Sequence, residues 1–254
     1  MISLKSDTHR SALPGGLILV LLFLVAVVPG HGEDPKPSKD FTPRFDPVAQ
    51  DIEGWTVWVE PMLLPGGEQE EEGGRALKML ANHLQRVAIL VPEPALAKLR
   101  TCEIWLEYKH PELGNMQYHP DEEWLMENGY DKRLAKKVHI THTGELLSRQ
   151  EMLKHPAVIL HELAHAYHDQ VLSFDHAGIL GAYEAAMEKG NYEEVLLYDG
   201  RTVEHYATTN QMEYFAEATE AYFYRNDFFP FVAAELQIHD PRIFQVLQEV
   251  WGKP

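Results

Sequence analysis

The 254-residue chain holds a single cysteine, Cys102. No disulfide can form within it, so the fold has to rest on its apolar core. Cys102 lies in an apolar run and reads as a small buried hydrophobe. Basic residues are scarce: 22 Lys and Arg stand against 39 Asp and Glu, a formal net charge of -17. That balance disfavours nucleic acid and anionic membranes as partners, since both repel an acidic surface. There is no Asn-x-Ser/Thr acceptor, so N-glycosylation offers no support for a route through the ER. Internal repeats and low-complexity tracts are missing too. Long apolar runs are limited to residues 17–28 (LILVLLFLVAVV), too short for a comfortable membrane span.

That run has other marks around it. Lys5, His9 and Arg10 precede it, Pro29 breaks it, and Val28 and Gly30 supply small residues. Residues 1–30 are therefore expected to be a signal peptide cleaved after Gly30, with an uncleaved anchor as the competing reading. The protein is then secreted, periplasmic or otherwise extracellular. Residues 31–47 are rich in proline and charge and read as a flexible leader. Residues 48–254 form the expected domain, and 45% hydrophobic residues are enough for a sizeable core.

Strand patterns concentrate before residue 142 and helical ones after it. The β-branched and aromatic run 55–59 is a strand, 101–108 alternates, and 137–141 (KVHIT) is a third candidate. Residues 61–74 read as a loop with four acids, Glu68, Glu70, Glu71 and Glu72. Residues 74–90 have the apolar stripe of a helix, and 94–100 that of a short one. His83 on the first of these reads as a surface residue. Residues 110–130 are turn-rich, and His110 and His119 each precede a proline, in extended backbone. His139 and His142 read as structural or substrate-facing. Further helices are expected at 177–189, 209–224 and 241–251, with a hairpin arm near 194–199. The fold class is α+β.

The most informative stretch is His161-Glu162-Leu163-Ala164-His165 within residues 155–172. Pro156 suits a first helical position, and Val158, Ile159, Leu163, Ala166 and Tyr167 recur at helical spacing. Two histidines four apart sit on one helix face, where both rings can reach one ion. Neutral imidazoles so placed suit Zn²⁺. Glu162, offset by about 100°, is poorly placed as a ligand but can reach a water bound to the ion. The bland alternative is a helix with two surface histidines. A third protein ligand is normal for a catalytic zinc. His168 is too far along the axis, and Glu213, Glu217 and Glu220 on one stripe of the helix 209–224 are better placed. A solvated acidic face is the competing reading of that stripe.

With these residues in hand, the chain resembles the catalytic domain of the anthrax toxin lethal factor family, zinc metallopeptidases of the gluzincin type. The resemblance rests on His161-Glu162-x-x-His165 and on the segment 206–218 (YATTNQMEYFAEA), and covers roughly residues 155–225. It implies a zincin-like fold and Glu213 as the third zinc ligand. It also implies Tyr206 as the group that polarises a substrate carbonyl, and Glu217 as the carboxylate that holds a ligand histidine. His205, beside Tyr206, departs from that pattern and competes for its role. The expected activity is zinc-dependent peptide hydrolysis with Glu162 as general base. The expected partner is a peptide or protein substrate, aligned by strand addition along 137–141. A catalytically silent binding domain and a zinc hydrolase of a non-peptide substrate are the alternatives.

Overall fold

A computed structural model describes residues 42–253. The expected signal segment and residues 31–41 of the leader lie outside them. Two antiparallel strands come first, β1 (Val48–Ile52) and β2 (Trp55–Val59). They turn through Glu53 and Gly54, both at positive φ, the two-residue turn whose twist matches that of the strands. After a 3-10 turn at Pro61–Leu63 come α1 (Glu70–Leu90), α2 (Glu93–Leu99) and β3 (Glu103–Leu106). Next are β4 (Gln117–Tyr118), α3 (Glu122–Asn128) and β5 (Lys137–Ile140). The sheet order is β1-β2-β3-β5-β4, parallel between β2, β3 and β5 and antiparallel at both outer pairs.

Several expectations change here. Of the four acids expected in a loop, only Glu68 lies in one. Glu70, Glu71 and Glu72 form the first turn of α1, where carboxylates complement the helix dipole. Gly73 lets this turn approach the chain before it, because a Cβ there would lie 2.0 Å from the Leu63 carbonyl oxygen. His83 is buried rather than on the surface, and burial pushes its pKa down to about 4. The strand 137–141 is not an edge. It is β5, paired with β3 on one side and β4 on the other. The short strand β4 was hidden in sequence by its turn-rich surroundings.

The sheet is covered on both faces, which is why β3 (EIWL) is buried at three successive positions. Ile104 and Val138, in register with Val57, face the main core against the helices. Trp105 faces a smaller cluster with Leu125 and Leu134, closed by Phe45, Trp58, Trp124 and Tyr130. The end of the expected leader is tied down here: Arg44 pairs with Glu107, and Arg133 donates to the Phe45 carbonyl at 2.9 Å. Cys102 is fully buried, and burial pushes its thiol up to about 12.

The remainder is mainly helical. It comprises α4 (Thr143–Leu147), α5 (Arg149–Lys154), α6 (Val158–Tyr167), a π-helical turn (His168–Leu172) and α7 (Ala177–Lys189). A small hairpin of β6 (Val195–Leu196) and β7 (Thr202–Val203) follows, then α8 (Gln211–Phe223), α9 (Ala233–His239) and α10 (Pro241–Trp251). The helix α6 is shorter than its apolar pattern implied, and Pro156 sits in a turn ahead of it. Its residues from Ile159 to Tyr167 are all buried, as expected of a helix enclosed by a sheet on one side and α8 on the other. The result is a mixed α and β chain with a five-stranded sheet, consistent with α+β. No helix among the described residues is long and apolar enough to cross a membrane.

Candidate metal centre

Two helices make the centre. In α6, His161 and His165 fall one turn apart and project toward α8. In α8, Asn210 caps the helix, its Oδ1 accepting from the Met212 and Glu213 amides at 2.9 Å. An asparagine cap satisfies amides that have no partner inside the helix, and it fixes the first turn in which Glu213 lies. Segments 48 residues apart in the chain thereby bring three atoms together. His161 Nε2 and His165 Nε2 are 3.1 Å apart, and each is 3.2 Å from Glu213 Oε2.

Three points at such spacing are one face of a regular tetrahedron whose centre lies about 2.0 Å from each, close to the bond lengths of zinc to imidazole nitrogen and carboxylate oxygen. The protonation pattern supports the same fit. Glu220 Oε1 is 2.7 Å from His161 Nδ1, which holds a proton there and would leave Nε2 as the ligand atom whenever a metal ion replaces the second ring proton. A lone pair aimed at a carboxylate oxygen and a second imidazole nitrogen is repulsive unless a proton or cation lies between. The donor set of two imidazoles and one carboxylate fits zinc.

The electrostatics are strong. Burial disfavours charge on His161, yet hydrogen bonding to Glu213 and Glu220 raises its pKa well above the usual value. Burial opposes charge on Glu213 too, and His165 and His161 overcome it, holding the carboxylate well below its ordinary range. Glu162 is buried at 7% exposure on the same helix. Tyr206 lies in a 3-10 turn, Tyr206–Thr208, just before α8. Burial raises its phenol pKa, and the charges of Glu213 and Glu162 raise it further while His161 lowers it.

The expected role of Glu217 needs correcting. Its Oε1 is 3.8 Å from His161 Nδ1, outside hydrogen-bond reach, and the bond belongs to Glu220. The His161 ring lies along α8 with Nε2 toward Glu213, so its other nitrogen reaches the residue two turns on rather than one. Two adjacent buried carboxylates cannot both ionise cheaply. Burial and then the charge of Glu220 raise Glu217 well above its usual value. Burial resists charge on Glu220 as well, but His155 and His161 pull it down to about 2. His155 was missed in sequence. Its Nε2 is 3.1 Å from the same Glu220 oxygen. Burial works against its charge, but Glu220 and then Asp227 raise it to about 9. Its only sequence signal was proximity to the motif.

Among the described residues, the other histidines singled out in the sequence stay out of the centre. His168 is fully buried between Phe174 and Phe215, and burial lowers it to about 3. His205 does not compete with Tyr206. Its Nδ1 accepts from the Ala207 amide at 3.0 Å and its ring stacks on Phe228. His139 is on the far face of the sheet with Nε2 3.2 Å from Glu107 and Nδ1 3.1 Å from His119. His110 lies edge-on to it. No protein-family model, curated protein or solved structure matches this chain, so its chemistry is read from the geometry of this centre.

Proposed function

We propose that the chain is an exported zinc-dependent metallopeptidase with a zincin-like fold. The observation that carries this is the triangle of His161, His165 and Glu213 with Glu220 behind it, three potential ligand atoms within 3.2 Å of one another. A zinc ion bound there supplies Lewis acidity, activating a water and polarising a carbonyl. Glu162 would serve as the general base toward an attacking water and pass the proton to the departing amine. The Tyr206 hydroxyl, kept protonated by burial and neighbouring carboxylates, donates to the oxygen that gains charge at the attacked carbon. Glu220 holds His161 in the tautomer that leaves Nε2 free. An extended peptide is aligned along β4, the outer strand at the β5 end of the sheet, which packs against α6. No nucleic acid is involved, and the site acts outside the cytoplasm.

Metal analysis of the purified protein, joined to peptide-library cleavage with and without chelator, tests the reading. One zinc per chain and chelator-sensitive cleavage are expected. Zinc without cleavage of any peptide sinks the peptidase assignment, and absence of a bound divalent cation sinks the centre itself.

A further inference from the structure

The helix carrying the motif does not end as an α-helix. Residues His168–Leu172 wind as a π-turn, in which one extra residue per turn rotates the following side chains off the α-helical stripe. Two of those side chains cross to the sheet. Asp169 Oδ2 accepts from the Tyr118 hydroxyl at 2.5 Å and from Lys136 Nζ at 2.6 Å. Gln170 Nε2 donates to the Tyr118 hydroxyl oxygen at 3.1 Å and to the Lys136 carbonyl at 3.0 Å. Tyr118 belongs to β4, and Lys136, at φ +61, immediately precedes β5.

This arrangement answers a need. The strand β4 has two residues and is paired on one side only, with β5. A strand so short has few ladder bonds to hold it, and it is the one whose free edge a peptide would use. Asp169 is four residues past His165 and shares its helix, so whatever fixes Tyr118 to Asp169 also fixes β4 to the metal ligands. We propose that Asp169 and Gln170 are positioning residues, a latch that sets the height of β4 relative to His161, Glu162 and His165 and thereby the register of a bound peptide. The substrate half of this proposal rests on the peptidase reading, and the latch itself does not.

The test uses the zinc-loaded full chain and three variants, Asp169→Asn, Asp169→Glu and Tyr118→Phe, the last removing one hydroxyl while keeping the ring. Zinc content, amide hydrogen exchange of residues 115–120, and kcat and KM on a cleaved peptide are measured. For Asp169→Asn and Tyr118→Phe, exchange at 115–120 should quicken about tenfold and KM rise about tenfold, the scale of a lost charge-assisted hydrogen bond. Zinc content should be unchanged and kcat should stay within about twofold. Asp169→Glu, which keeps the carboxylate, should recover most of KM. Unchanged exchange and KM overturn the latch, as does a loss confined to kcat or zinc. If the wild type holds zinc but cleaves nothing, the peptidase reading falls. Exchange at 115–120 then decides the latch alone: faster supports it, unchanged overturns it.

Discussion

Glu162 carries the sharpest demand of the proposed chemistry. It sits one residue from a ligand yet contributes no atom to the triangle, so its removal should separate metal binding from turnover. Glu162→Gln is expected to lower kcat by at least about 10²- to 10⁴-fold, the range for a lost general base, with zinc content unchanged. Zinc lost together with activity would reassign the residue. Tyr206→Phe should cost about 10²-fold in kcat with little change in zinc, as when one donor to a developing oxyanion is removed. The neighbouring carboxylates should behave differently from each other. Glu220 accepts a hydrogen bond from His161 Nδ1 at 2.7 Å, so Glu220→Gln should weaken zinc affinity about 10- to 100-fold. Glu217 lies 3.8 Å from His161 Nδ1, outside hydrogen-bond reach, and Glu217→Gln should leave affinity near the wild-type value. Isothermal titration of zinc into both apo-proteins ranks them, and equal losses would contradict the assignment.

At the scale of elements, the centre depends on how α8 begins. Asn210 accepts two amides, one of them Glu213's own. Asn210→Ala should cost about 1 kcal/mol of stability, the usual loss of a cap. It should weaken zinc binding as well, because the first turn holding Glu213 frays. A thermal melt of the apo-protein together with a zinc titration reads both, and an effect on stability alone would show that the cap does not position the ligand. Element types were legible where periodicity was strong. The residues 55–59, 177–189 and 241–251 form the strand and helices their patterns imply. What failed was local and had physical causes. Acids near residue 70 read as solvated loop because charge alone does not distinguish a loop from a helix N-terminus. The two-residue β4 has no period to detect. Which strand lies at the edge is a property of pairing partners, and β5 could not be seen as interior from its own residues.

For the whole molecule, buried neutral histidines set the acid limit. Burial lowers His83 and His110 to about 4, and His168 and His205 to about 3. Unfolded, each titrates near 6.5. Between about pH 6.5 and pH 4 the unfolded chain thus binds more protons than the folded one, and stability is lost as pH falls through that window. The raised carboxylates Glu145, Glu217 and Asp227 work in the opposite direction but are fewer, so circular-dichroism melts from pH 7 to pH 4 should show a net decline. A flat profile would mean these imidazoles are not buried and neutral. The chain's own residues determined a good deal: the lack of disulfides, the acidic surface, the α6 motif and the acidic stripe of α8. These are matters of composition and helical repeat, which neighbours in sequence dictate. Only the tertiary structure decided that Glu220 rather than Glu217 holds His161, that His155 joins it, and that β4 forms the outer edge. Each depends on how separate segments approach one another, and a distance between segments is written in no single one of them.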